Sequence, residues 1–204
     1  GCAQSCRFKY SLDFKNESEK CVSDTAFMSS KDLNGIEVLN LFFENEIDSL
    51  KIEGRMRSPL YAAVTARVYR EAIDSYFLNK RFSEAQIKDW RSELDLLPNR
   101  LYTEASLVNA ASGTSVNSFP QNNEKAGPSF VGVVRKIVPN SFALVEVRGT
   151  FSLSDNIELI SKSGAHLRLL GEIKNSVGDR IEIAQPNTLI RLPLIDGISE
   201  GQVL

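Results

Sequence analysis

Apolar and polar positions divide the chain into two halves of different rhythm. In the first half, Ile36, Leu39, Leu41, Phe42 and Phe43 follow Ser30-Lys31-Asp32-Leu33. That predicts a helix starting near Ser30 with one buried face. Ile47-Asp48-Ser49-Leu50-Lys51-Ile52-Glu53-Gly54 alternates and ends on glycine. It predicts a short strand with Ser49, Lys51 and Glu53 on one face and Leu50 and Ile52 on the other. Ser58-Pro59 opens a long helix, serine as N-cap and proline in the first turn. Ala62, Ala63, Ala66, Val68, Tyr69, Ala72, Ile73 and Phe77 carry it forward. A further helix runs from Ser83 to about Leu96, opened by a Ser83/Gln86 capping box and stopped by Pro98.

Residues 110–128 are small, polar and rich in glycine and proline, and read as a linker. Beyond them the period becomes short and strand-like. Runs at 130–134, 142–147, 156–160, 167–170, 180–184 and 189–192 are separated by turn residues such as Pro139-Asn140, Ser163-Gly164 and Gly178-Asp179. Regular short strands with such punctuation predict a small all-β domain, a closed or nearly closed barrel.

Composition adds limits. The 204 residues are 42% hydrophobic and 25% charged, with a formal net charge of −2. That is an ordinary globular balance without a global basic field. No apolar run approaches the roughly 20 residues a membrane span needs. No signal-peptide pattern is in view. Three cysteines do not close a disulfide framework, so a reduced, cytoplasmic setting is expected. Cys2 and Cys6 stand close together at the start, beside Arg7, in a chain that opens on Gly1. This reads as the C-terminal piece of a longer protein. Thiolates suit iron–sulfur clusters or zinc, and this spacing lets both sulfurs reach one centre. Spacing alone favours two ordinary reduced thiols. The single histidine, His166, falls in a predicted hairpin turn and supports no His-rich metal site.

The run Ser49-Leu50-Lys51-Ile52-Glu53-Gly54-Arg55-Met56-Arg57-Ser58-Pro59, with Tyr61 and Tyr69-Arg70-Glu71-Ala72-Ile73-Asp74 behind it, resembles peptidase family U32. Cys2, Cys6, Arg7 and Tyr10 match that family's Gly-x-Cys-x-x-x-Cys-Arg-x-x-Tyr pattern apart from the residue before Gly1. Ser30-Lys31-Asp32-Leu33 is similar to its Ser-Pro-Lys-Asp-Leu, without the proline. Asn99-Arg100-Leu101-Tyr102-Thr103-Glu104 resembles its Arg-x-x-Thr-x-Gly-Phe stretch, with Ala105-Ser106 in place of Gly-Phe. From Phe130 onward the chain resembles the family's C-terminal β-barrel, which is similar to translation-factor barrels.

The resemblance implies an α+β organisation. Residues 1–109 would be the C-terminal part of an α/β, barrel-like catalytic domain, 110–128 a linker, and 129–204 a small all-β barrel. It implies a missing N-terminal part of the same protein carrying the remaining cluster ligands. The branch it points to hydroxylates RNA, here the wobble uridine of tRNA, using an iron–sulfur cluster and, for the tRNA type, prephenate. Collagenase-like peptidases are the other branch, and a non-catalytic RNA- or protein-binding module is a third reading. The parent would be an enzyme and this piece alone inactive.

Within that frame Cys2 and Cys6 are the candidate metal ligands. Lys51, Glu53 and Arg55 are the candidate catalytic set: cations for a carboxylate or phosphate, and a carboxylate for acid–base work. A structural Lys–Glu–Arg ion-pair network is the alternative. Arg57, Tyr61, Tyr69 and Arg70 are candidates for substrate or RNA contact, although the last two also suit packing and capping of the helix. Arg135, Lys136, Arg148, Lys162, Arg168, Lys174, Arg180 and Arg191 are scattered through the predicted barrel. They make a phosphate-tracking patch if they converge and a mixed-charge surface if they do not.

Overall fold

The computed structural model describes residues 5–12, 22–55, 57–116, 129–161 and 164–204. They form a mixed α/β structure with several sheets and three helices, in two compact units. One unit is Gly1–Leu50 with Ala72–Gly127; the other is Lys51–Glu71 with Pro128–Leu204.

In the first unit, β1 (Tyr10–Leu12) and β2 (Val22–Thr25) form an antiparallel pair. β3 (Asp32–Leu33) then runs parallel to β4 (Tyr102–Thr103). The helix predicted from Ser30 therefore starts later. Asn34 accepts the Ile36 amide on its Oδ1 at 3.0 Å. A 3-10 turn, Ile36–Val38, leads into α1 (Leu39–Glu44). Asp32 is held in the strand because its carboxylate accepts the Arg100 amide at 3.0 Å and faces the Arg100 guanidinium at 3.7 Å. A partner 68 residues away leaves no local signal. Ile36 and Leu39 are buried as expected, whereas Leu41 is exposed.

α2 (Pro59–Asn79) and α3 (Glu84–Leu96) match the predicted helices. Ser58 Oγ accepts the Tyr61 amide at 3.2 Å. Ser83 and Gln86 form the reciprocal box, with the Gln86 amide on Ser83 Oγ at 3.2 Å and the Ser83 amide on Gln86 Oε1 at 3.0 Å. Aromatic rings join the first unit's helical elements. Phe43 stacks on Tyr76 at 4.2 Å, Tyr76 meets Phe82 at 5.7 Å, and Phe82 meets Trp90 edge-on at 5.2 Å. The first part of the predicted linker is bound into this unit: the Lys31 amide donates to the Ser115 carbonyl at 3.0 Å, and Ser115 is buried. Residues 117–128 lie outside the described residues.

The predicted strand at Ile47–Gly54 does not form: the segment is irregular, with Ile47 and Ile52 exposed. Alternation becomes a strand only beside a second backbone that takes its amides and carbonyls. Among the described residues no ladder runs along it.

The second unit contains β5 (Gly132–Val138), β6 (Phe142–Val147), β7 (Phe151–Ser152), β8 (Asn156–Ser161), β9 (Gly164–Leu169), β10 (Lys174–Asn175), β11 (Ile183–Ala184) and β12 (Leu189–Pro193). A four-stranded sheet has the order β10-β12-β6-β5; β7–β11 and β8–β9 are separate antiparallel pairs. Val203 bridges both Val133 and Ile160, linking the β8–β9 pair to the β5 edge. The core is the inward set of these strands, including Val134, Ala143, Val145, Val147, Ile190 and Leu192, with Ile173 and Leu204. His166 pairs with Leu159 inside β9, so it lies in a strand and not in the predicted turn.

Candidate functional site

The predicted catalytic segment forms a tight turn at the start of α2. The Arg57 amide donates to the Gly54 carbonyl at 2.8 Å, closing the turn. Glu53 Oε1 accepts the Arg55 amide at 3.0 Å, and the Tyr61 hydroxyl reaches the Glu53 carbonyl at 3.4 Å. The Arg57 guanidinium sits over the Tyr61 ring at 5.5 Å. A Cβ added at Gly54 would lie 2.8 Å from that ring, so the absent side chain lets Tyr61 back the turn.

Glu53, Arg55, Arg57 and Tyr61 are thus brought together, all within one short stretch of chain. Lys51, Glu53 and Arg55 are exposed. Among the described residues Lys51, Glu53 and Arg55 form no ion-pair network with one another; Glu53 is engaged by backbone groups instead. The exposed cations can bind an anionic group, and the exposed carboxylate between them in sequence can exchange a proton with it, without first breaking a salt bridge. Tyr69 and Arg70 lie further along α2. At about 100° per residue Arg70 falls on the opposite side of the helix from Tyr61. The turn and Arg70 therefore do not share one surface.

Cys6 lies in a 3-10 turn, Ser5–Arg7, and is an exposed free thiol. Tyr10 of the same motif donates its hydroxyl to the Ser5 carbonyl at 2.7 Å, tying the turn down. Cys2 and Cys21 lie outside the described residues. Among the described residues no group of three or more His, Cys, Asp or Glu side chains could hold a metal. Of the two candidate ligands, Cys6 alone falls among the described residues.

Two arrangements carried no sequence motif. Arg67 is buried on α2; burial pushes its guanidinium below the ordinary value, and Glu71, 3.3 Å away, opposes that. Asn34 and Asn99 are buried beside the β3–β4 pair. Asn99 Oδ1 accepts the Leu101 amide at 3.0 Å, and its Nδ2 donates to the Leu97 carbonyl at 2.9 Å. Asparagine at such turns is legible only once the turn is known.

The model for "Peptidase family U32" matches residues 1–117, and that for "Peptidase family U32 C-terminal domain" matches residues 128–204. The chain belongs to peptidase family U32. It is 35% identical over 165 residues to tRNA hydroxylation protein P1 of Bacillus subtilis (strain 168), covering 78% of this chain and 38% of that protein. It is 32% identical over 160 residues to tRNA hydroxylation protein P of Escherichia coli (strain K12), covering 78% of this chain and 34% of that protein. A collagenase of Porphyromonas gingivalis (strain ATCC BAA-308 / W83) is 36% identical over 100 residues, covering 48% of this chain and 24% of that protein. The U32 chain therefore spans little more than a third of the curated relatives it matches. Among the described residues no helix is long and apolar enough to cross a membrane.

Proposed function

We propose that the protein to which this U32 chain belongs modifies RNA by hydroxylating the wobble uridine of tRNA, in the cytoplasm. The observation that carries this reading is the extent of the likeness. Similarity to the tRNA hydroxylation proteins of Bacillus subtilis and Escherichia coli covers 78% of the chain, against 48% for the collagenase. In this reading residues 129–204 form a barrel of translation-factor type that docks the RNA. Cys2 and Cys6 supply two ligands to an iron–sulfur cluster, and prephenate is a co-substrate. The cluster would supply the redox chemistry. Lys51 and Arg55 would hold a carboxylate or phosphate, and Glu53 would orient the bound group or exchange a proton with it. Arg57 and Tyr61 would fix the turn against the RNA.

The collagenase-like reading rests on the 36% identity to the Porphyromonas gingivalis protein. Iron, sulfide and gelatin cleavage measured on the oxygen-free full-length protein separate the two. The RNA reading predicts stoichiometric iron and sulfide, their loss in Cys2→Ala/Cys6→Ala, and intact gelatin. A protein without iron that degrades gelatin would sink it.

A further inference from the structure

The outward face of the four-stranded sheet gathers most of the described cations of residues 129–204. Register fixes this. Lys174 of β10 pairs with Arg191 of β12, Arg191 with Leu144 of β6, and Leu144 with Lys136 of β5. Directly opposed residues share a face, so these four form one row across the sheet. The neighbouring rows are Leu189–Glu146–Val133 and Pro193–Phe142–Val138.

A bulge between Val134 and Lys136 puts an extra residue, Arg135, into β5. It turns two consecutive cations outward while Val134 stays buried. Arg135 confirms its side by pairing with Glu146 through Nη2 at 2.5 Å, and Arg148 meets the same carboxylate at 2.8 Å. Glu172 is shared in the same way by Lys174 and Arg180, each at 2.9 Å. Each carboxylate faces two cations, so each triplet keeps one positive charge. Among the described residues Arg191 and Lys136 have no carboxylate at ion-pair distance.

Six cations thus stand against two carboxylates, or four when Asp179 and Glu200 at the rim are counted. The face gathers more cations than carboxylates on a chain of net −2. Such segregation is not what an undifferentiated soluble surface requires. The face also carries an apolar platform. The Arg191 guanidinium stacks on the Phe142 ring at 4.6 Å, with Val138 and Pro193 in the same row as that ring. The Arg191 Nη2 donates to the Ser176 carbonyl at 2.6 Å, which fixes the plane of the stack. At the β10–β12 end lies an open, mainly apolar groove of about 480 Å³ whose lining includes Ile181, Ile183 and Leu189 beside Ser176, Gln185 and Asn187.

We infer that this face binds a single-stranded segment of RNA, with phosphates along the Lys174–Arg191–Lys136 row and a base stacked on the Phe142–Arg191 pair. The row crosses three inter-strand steps, roughly 14 Å, enough for a few nucleotides. Cations track the backbone without reading sequence, and a π-face accepts any base. The Gln185 and Asn187 amides of the groove can hydrogen-bond the edge of a splayed base, whereas Asn175 and Thr188 are engaged within their own turns. An acidic protein would satisfy the charge but not explain a ring stacked on a cation of that row.

The inference rests on the RNA-modification reading and is tested separately from it. Binding of a labelled single-stranded RNA of about 12 nucleotides to the 204-residue chain is measured by anisotropy from about 50 to 200 mM salt. The wild type is expected to bind, with affinity falling steeply with salt. Lys136→Gln/Lys174→Gln/Arg191→Gln should bind at least about tenfold more weakly and lose roughly 2 from the log–log salt slope. Phe142→Leu should weaken binding about tenfold with the slope kept. Lys80→Gln/Arg81→Gln/Lys88→Gln, an equal loss of charge on the other unit, should change neither. Unchanged thermal unfolding certifies each variant as folded.

A wild type that fails to bind RNA, or a triple variant that keeps full affinity and slope, overturns the assignment. So does a Phe142→Leu protein of unchanged affinity whose RNA is displaced by polyglutamate, because that face would take an acidic protein. The RNA-modification reading itself falls only if cellular tRNA hydroxylation does not depend on the full-length protein.

Discussion

Gly54 is small because Tyr61 fills the space its side chain would need. Gly54→Ala should push the ring off the Arg55 turn and lower RNA hydroxylation by the full-length protein about tenfold, since small displacements of positioning groups are costly. Tyr61→Phe, which keeps the ring and gives up the 3.4 Å hydrogen bond to the Glu53 carbonyl, should stay within about threefold of wild type. Single-turnover assays would check both; equal rates for Gly54→Ala and wild type would show that the turn positions nothing. Glu172 offers a test of opposite sign. The hydrogen bond from Lys174, then Arg180, holds its carboxyl below the usual carboxylate range. Its contribution to stability is therefore present above the ordinary glutamate pKa and lost as pH falls through the lowered folded value. Glu172→Gln frees both cations, so RNA affinity at neutral pH should rise about threefold, with a steeper salt slope. The Glu53–Arg57 run was legible as a candidate because its members are neighbours in sequence. Asp32–Arg100 was not, because nothing near Asp32 announces a partner 68 residues on.

Among the elements, α2, α3 and the long strands of the second unit follow from local pattern, since caps, a first-turn proline and period-2 alternation act over a few residues. Ser83→Ala, which removes the α3 box, should cost about 1 kcal/mol in chemical denaturation. Trp90, buried and set edge-on to Phe82, should cost about 3–5 kcal/mol as Trp90→Ala. A cost under about 1 kcal/mol would mean the aromatic chain is not the first unit's core. Ile47–Gly54 shows the limit of local reading. Its alternation is real, but a strand is a relation between two backbones, and among the described residues none pairs with it. The same limit hid the conversion of Asp32–Leu33 from helix start to parallel strand.

For the whole molecule, the two family matches and the two compact units describe a protein with distinct parts, of which this chain spans about a third of its relatives' length. A change of period near residue 128 is visible in the sequence. The grouping of Lys51–Glu71 with the β unit was not, because it depends on tertiary contact. The convergence of cations on one sheet face was equally hidden, since it depends on register and on one bulge. The most direct test of the account is mass spectrometry of tRNA nucleosides from cells lacking the full-length gene. Deletion should abolish hydroxylated wobble uridine, and the wild-type gene should restore it while Cys2→Ala/Cys6→Ala does not. An unchanged nucleoside profile after deletion would contradict the RNA-modifying role.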